Sequence, residues 1–459
     1  MTLTIEENGL GSIFANFFKA NPTSLLIRGD PGVGKTTLAL ELLNYVKPYY
    51  RGCYISTRVS YEKLIQQIPW CKDLLIDENV MRPFASNMKG TAPLVDVRLG
   101  TINIIVEMVM SAVMKDRAFI ILDSWDALAK EADMKERLKA EKTMVSLADA
   151  NNGFIIFISE EPVLNTVAYL VDAVVTLENK TIRYMRIDKM RGSQISDKYI
   201  FYSLIDSHFT PINRQNIVFN KPNRIFEPIV YERKRSTGNK YLDNAINKIG
   251  AGNVILFEVS ENRDRRVLGL ILLNMILNYM RSGGSAIVFN TPDKPYASIL
   301  NHIKPYCTEE DLERLILVSS DINLPAYQYL EKMSYEDIMG TFERVITNRY
   351  PQLKIKSNKP CLLSVDIGMC EARINEKDAI GNNLLVLANI FRSNGDNMVF
   401  VLTDKHKNFA TTQSIADIHL KLFTKDGVSF IKTIKPYNGI YGIIIDDNEY
   451  PLYKLVKMV

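Results

Sequence analysis

The chain has 459 residues, 47% hydrophobic and 24% charged, which excludes a disordered or collagen-like polymer and predicts two or three domains with cores of their own. Lys and Arg number 56 against 52 Asp and Glu, and the resulting net charge of +4 is too small to argue for wholesale nucleic-acid binding. The five cysteines and four histidines stand at no zinc-ligand spacing, so the cysteine usage suits a reducing cytoplasm, the expected location.

The chain starts on the acidic stretch MTLTIEENGL, where a signal peptide would be basic. Short apolar runs follow at Ser24–Arg28, Cys53–Ser56, Ala118–Leu122, Phe154–Ile158 and Val174–Leu177. Their Ile and Val content predicts parallel strands covered on both faces. Stretches with helical spacing, such as Thr37–Val46 and Lys130–Ala150, lie between them, and the alternation predicts an α/β domain. The longest apolar runs, Thr101–Met114 and Val267–Met280, fall short of the ~18–20 residues that cross a bilayer and are expected as buried helices.

The second half repeats the order with strands predicted at Val254–Phe257, Ala286–Phe289, Cys361–Val365 and Met398–Leu402. Aligning Ser24 with Asn253 gives an offset of 229, Asp123 with Asp366 gives 243, and Lys189 with Lys435 gives 246. Slowly growing offsets are what loop insertions produce, so a tandem duplication is expected. The fold class predicted is α/β, two tandem domains, each a mostly parallel sheet flanked by helices. The boundaries expected are 1–220 for the first domain, 221–240 for a solvated linker and 241–459 for the second domain. The linker holds the basic run Arg233-Lys234-Arg235.

Gly29-Asp30-Pro31-Gly32-Val33-Gly34-Lys35-Thr36 fits G-x-x-x-x-G-K-[ST] in full, between a predicted strand and a predicted helix that opens on Thr37. The glycines let backbone N–H groups converge on phosphate, and the helix N-terminus adds its positive dipole end. In this pattern Lys35 reaches the β- and γ-phosphates of ATP and the Thr36 hydroxyl ligates Mg²⁺. Asp123 ends an apolar strand about ninety residues later, where it is expected as the metal's carboxylate; alone it would read as a helix N-cap. Asp126 reads as an exposed or capping acid.

With GDPGVGKTTLALELL, FIILDSWDAL, Lys189-Met190-Arg191-Gly192-Ser193 and Thr237-Gly238-Asn239-Lys240-Tyr241-Leu242-Asp243, the chain resembles the KaiC-type group of the RecA superfamily, an archaeal and cyanobacterial group that includes the gas-vesicle regulator GvpD. The resemblance implies two tandem RecA-like P-loop domains, 1–220 binding ATP and 241–459 degenerate, with ATP and Mg²⁺ as cofactors and homo-oligomers with nucleotide between protomers. It implies that Lys189 and Arg191 of the K-x-R-G signature reach a neighbour's γ-phosphate, so that Asp123, Lys189 and Arg191 form the catalytic set. Read without the resemblance, Lys189 and Arg191 are exposed cations on an edge strand.

Two departures bear on function. The second strand of such domains usually ends in a glutamate pair that prepares the attacking water, and here Arg58 and Val59 fall there. A cation cannot accept a proton from water, so hydrolysis is expected to be slow, with Glu62 the first substitute. In the second half the phosphate loop is replaced by Glu258-Val259-Ser260-Glu261-Asn262-Arg263-Asp264-Arg265-Arg266, and the offset of 229 sets Asp264 against Lys35 and Arg265 against Thr36. Asp366 survives at the metal-acid position, while Tyr437 stands for Arg191. The expected function is an ATP-binding, slowly hydrolysing regulator or assembly switch without a membrane segment. The alternatives are a non-hydrolysing ATP-binding scaffold and a RecA-paralogue accessory that binds DNA, to which a loop at Lys130–Lys142 would contribute five cations.

Overall fold

The computed structural model describes residues 9–77, 92–98, 101–115, 117–129, 132–160, 166–195, 197–214, 226–261, 264–289, 296–319, 328–333, 337–371, 377–445 and 452–459. The chain forms two compact units, Met1–Asn213 with Met458–Val459, and Arg214–Lys457.

Strands of the first unit are β1 (Ser24–Gly29), β2 (Arg51–Ser56), β3 (Leu75–Asp77), β4 (Ala92–Asp96), β5 (Ala118–Asp123), β6 (Phe154–Ser159), β7 (Ala173–Asn179), β8 (Arg183–Met190), β9 (Tyr199–Ser203) and β10 (Thr210–Ile212). They form one sheet in the order β10-β9-β8-β7-β1-β6-β5-β2-β4-β3. β1 to β7 are mutually parallel, and β8 to β10 extend the sheet in antiparallel fashion. Each strand side packs on its own helical layer. Leu25 and Ile27 of β1 enter one core and Leu26 the other, the two-residue period of a strand buried on both faces.

In the second unit the strands are β11 (Val254–Val259), β12 (Ser285–Phe289), β13 (Leu315–Ser319), β14 (Leu330–Lys332), β15 (Cys361–Asp366), β16 (Asn397–Leu402), β17 (Ile418–Lys425), β18 (Val428–Lys435), β19 (Gly439–Ile445) and β20 (Tyr453–Lys457). Their order, β14-β13-β12-β15-β16-β11-β17-β18-β19-β20, places β11, β16, β15 and β12 as β1, β6, β5 and β2 are placed in the first sheet. The antiparallel flank β17 to β20 matches β7 to β10. Both units are therefore α/β, with mostly parallel sheets of RecA-like strand order flanked by helices.

Several expectations need correction. β1 and β11 start at Ser24 and Val254, and the helices after them at Lys35 and Arg265, so the offset here is 230 and not 229. Lys35 stands opposite Arg265, Thr36 opposite Arg266, and Gly34 opposite Asp264. β8 is not an edge strand, because β9 covers its outer side. The Lys130–Lys142 stretch is no loop from Met134 onward, since the helix Met134–Ala150 begins there, capped by the Asp133 side chain. Its Arg137 is buried and paired with buried Glu141 at 2.8 Å, so it is unavailable to DNA. The helix Ile102–Lys115 buries Ile105, Val109 and Val113 but exposes Ile104, Met110 and Met114, so only one of its faces is core. The helix Arg265–Arg281 is buried along most of its length, as expected. Among the described residues no helix is long and apolar enough to cross a membrane.

Of the expected linker, residues 221–225 lie outside the described residues, and 226–240 pack with the second unit. Ser236, Thr237 and Asn239 are buried, the opposite of a solvated connection. The T-G-x-x-x-L-D residues account for this. The Asp243 carboxylate accepts from the Thr237 N–H at 2.7 Å, the Thr237 hydroxyl at 2.8 Å, the Tyr231 hydroxyl at 3.1 Å and the Ser236 hydroxyl. Asn239 caps the helix Lys240–Ile246 by accepting from the N–H groups of Tyr241 and Leu242. In the basic run, Lys234 donates to the Asn247 carbonyl and Arg235 to Asn397.

Candidate functional site

Parallel strands deliver their C-terminal ends to one edge of the sheet, and in the first unit β1, β6 and β5 bring Gly29, Glu160 and Asp123 there side by side. Gly29 is required by close approach, because a Cβ at this position would collide with the Leu177 carbonyl oxygen. Gly34 precedes the helix Lys35–Val46 with φ 95°, a left-handed conformation that favours glycine, and it has no side chain to cap the helix. Asp30, Pro31 and Gly32 are exposed at the tip of the loop. Val33 is buried, and its carbonyl accepts from Tyr202 at 2.6 Å. Arg183, at the start of β8, donates to the Gly32 carbonyl at 3.1 Å, a loop contact that no local sequence signal reveals.

Lys35 is buried, and its Nζ donates to the carbonyls of Gly29 at 2.7 Å and Asp30 at 2.8 Å. Burial lowers the pKa of its ammonium, with Glu160 and Asp123 acting in the opposite sense. The Thr36 hydroxyl donates to Asp123 Oδ2 at 2.6 Å, and the buried Tyr54 hydroxyl donates to the same oxygen at 2.6 Å. Burial raises the Asp123 carboxyl pKa, while the hydrogen bonds from Thr36 and Tyr54 and the charge of Lys35 pull it down. Tyr54 is raised well above the ordinary phenol value by burial and by Asp123. Thr37 is buried in the first turn of the helix. One hydroxyl and one carboxylate converging this closely form a hard-oxygen pair of the kind Mg²⁺ takes when phosphate and water complete its shell. The residues therefore fit that ion.

Asp126 is fully buried, which corrects its reading as an exposed or capping acid. Its carboxylate accepts from the Ser159 hydroxyl at 2.8 Å and from the Glu160 N–H, so it fixes the end of β6. Glu160 Oε1 lies 2.6 Å from Arg58 Nη1 and 3.9 Å from Lys35 Nζ. Glu62 is elsewhere. Its charged neighbours are Arg98 and Asp96, at the end of β4, on the side of β2 away from β1.

Lys189 and Arg191 are not brought to this site within the chain. β8 runs antiparallel to β7, and the registers Gly29↔Leu177 and Val174↔Lys189 set Lys189 three strand residues, ~10 Å, back from the level of Gly29, with Arg191 beside Asp172 further toward the opposite sheet edge. Lys189 Nζ donates to the carbonyls of Ala168, Tyr169 and Val171, at the end of the helix Val167–Leu170. Arg191 is 59% exposed, with Asp172 at 3.6 Å.

Residues 14–191 match the family described as GvpD gas vesicle protein, P-loop domain. Two proteins of Halobacterium salinarum are similar to the chain. Protein GvpD2 is 26% identical over 295 residues, covering 59% of the chain and 59% of that protein. Protein GvpD1 is 24% identical over 287 residues, covering 58% of the chain and 53% of that protein. The chain thus spans little more than half the length of either relative. The matched segment holds β1, the loop, Asp123, Lys189 and Arg191, and with the strand order it supports a P-loop domain of RecA-like type in the first unit.

Proposed function

We propose that the first unit binds ATP with Mg²⁺, hydrolyses it slowly, and uses the bound state as a nucleotide-dependent regulatory or assembly switch of the GvpD kind. The observation that carries this reading is the 2.6 Å hydrogen bond between Thr36 and Asp123 behind an intact phosphate loop. In this reading the backbone from Gly29 to Thr37 cradles the phosphates, and Lys35 leaves the Gly29 and Asp30 carbonyls for the β- and γ-phosphates. Thr36 and Asp123 hold Mg²⁺, which when bound neutralises phosphate charge. Arg191, exposed and far from its own loop, is proposed to act on the ATP of a neighbouring chain. Lys189 shares that role only if it releases the three carbonyls it now serves. The second unit is proposed to bind no ATP and to serve assembly or partner recognition. The test is titration calorimetry with ATP and Mg²⁺, followed by mass measurement with and without the nucleotide. One ATP per chain and a nucleotide-dependent change of oligomer support the reading, and no binding overturns it.

A further inference from the structure

With Arg58 in the place of the usual glutamate, the site would lack a carboxylate to prepare water, yet the geometry supplies one from another strand. β6 lies directly between β1 and β5, so its C-terminal end falls between the phosphate loop and Asp123. Glu160 is the residue at that end, and its carboxylate reaches to 3.9 Å from Lys35 Nζ. A lysine that grips a γ-phosphate does so at hydrogen-bond distance, ~3 Å. A carboxylate within 4 Å of that nitrogen lies at the end of the loop where a γ-phosphate and its attacking water would sit. Its side chain is 26% exposed, so water and ligand can reach it.

Two contacts fix the carboxylate. Asp126, wholly buried, accepts from the Ser159 hydroxyl and the Glu160 N–H, which sets the backbone of the strand end. Arg58 Nη1 holds Oε1 at 2.6 Å, leaving the second carboxylate oxygen able to accept from water. Arg58 thus stands where a carboxylate is lost and orients the one that replaces it.

We infer that Glu160 is the catalytic carboxylate of the first unit and that Arg58 is its positioning residue. This assignment rests on the ATP-binding reading above. In the step it serves, a water oxygen forms a bond to the γ-phosphorus while the bond from that phosphorus to the β,γ-bridging oxygen breaks. The electron pair of the broken bond stays on ADP. The proton of the water passes to Glu160 and then to the released phosphate, so the carboxylate is regenerated.

The experiment measures ATP binding by calorimetry and phosphate release in single-turnover mode, on the full chain and on Glu160→Gln, Arg58→Ala, Arg58→Lys and Glu62→Gln. Glu160→Gln should bind ATP as tightly as the unaltered chain, or more tightly for want of a carboxylate near phosphate, and should lose turnover by ~10²-fold or more. Arg58→Ala should lower kcat by ~10-fold with KM little changed, and Arg58→Lys should recover part of the loss, because it restores a cation to the carboxylate. Glu62→Gln should turn over as the unaltered chain does. A Glu160→Gln chain that binds ATP and releases phosphate within about threefold of the parent rate overturns the assignment alone. So does a parent chain that binds ATP and never hydrolyses it. Failure of the parent chain to bind ATP overturns the nucleotide reading, and this assignment with it.

Discussion

Five residues separate the end of β1 at Gly29 from the helix start at Lys35, and five separate the end of β11 at Val259 from that at Arg265, and the two helix starts are equipped in opposite ways. In the first unit the preceding residue is Gly34, left-handed and without a capping side chain. In the second it is Asp264, whose carboxylate accepts from the Arg266 N–H at 2.9 Å and pairs with the Arg266 guanidinium at 3.0 Å. Burial works against the Asp264 charge, but the hydrogen bonds from Arg266 outweigh it and hold the carboxyl below its usual value. The chain's own anion thus sits where a phosphate would bind. The strand ends differ in the same direction. At the position of Arg28, Glu258 is buried between His419, at 2.9 Å, and Lys421. Both acids are thus committed to partners within the unit. Of the three arginines in this segment, Arg263 lies outside the described residues and Arg266 is paired with Asp264.

The comparison also separates Lys189 from Arg191. Lys189 pairs with Val174 and Lys435 with His419, each beside a register shift in its strand pair. Lys435 Nζ donates to the Ala416 carbonyl at 2.7 Å, as Lys189 donates to Val171. A lysine doing the same internal work in a unit without a phosphate loop argues that this work is architectural. Arg191 has no such counterpart, since Tyr437 stands there.

The sharpest way to break the contrast between the units is Lys35→Ala. It should weaken ATP binding at least ~100-fold, about 2.7 kcal/mol, while circular dichroism stays unchanged, and calorimetry on the unaltered chain should give one site. Two sites per chain would erase the contrast. Next comes Arg191→Ala, expected to reduce hydrolysis by ~10³-fold if its cation stabilises charge on a neighbour's phosphate. Mixing Arg191→Ala with Lys35→Ala chains should then restore activity that neither shows alone, and an Arg191→Ala chain of full activity would remove the trans role.

Glu258→Gln should cost about 2 kcal/mol at pH 7 by leaving buried donors poorly matched, read as the urea midpoint of the second unit. Burial opposes the Glu258 charge, but His419 and Lys421 hold its pKa below the ordinary 4.5. A carboxyl lowered in the folded chain stabilises fully above its unfolded value and loses that contribution as the pH falls through the folded one. The gap between parent and variant should therefore narrow below about pH 4.5, and a gap independent of pH would exclude the charged pairing. Smallest is Asp264→Ala, which removes a cap worth about 1 kcal/mol and should lower the melting temperature of that unit by ~2–4 °C. It should not create ATP binding, because Arg265 and Arg266 stand where Lys35 and Thr36 would be needed.

The strand–loop–helix setting of Gly29–Thr36, the place of Asp123 at a strand end, and the strands β1, β2, β5, β6, β7, β11, β12, β15 and β16 were legible because each is a local pattern, an apolar run or a fixed spacing. Glu160 was not, since it lies 125 residues beyond Lys35 and belongs to no motif; only the insertion of β6 beside β1 makes them neighbours. The burial of Asp126 was hidden for a related reason, as its partners Ser159 and Glu160 come from a different strand. β8 read as an edge because the pairing with β9, short and antiparallel, carries no signal of its own. The one-residue error in the offset between the units came from aligning sequence letters where helix starts are the better reference.

The cluster around Asp243 sets a limit on how the second unit can be cut from the chain. A fragment starting at Tyr241 would look complete by sequence, since it holds the helix and every strand of that sheet. It would also discard Tyr231, Ser236 and Thr237, the source of all four donors that surround the carboxylate. Such a fragment would carry a stranded anion and should be prone to aggregate, whereas one beginning at Phe226 keeps the donors and the buried Phe226 side chain of the core. The practical border of the unit is therefore drawn by one acid's partners, well upstream of its first helix.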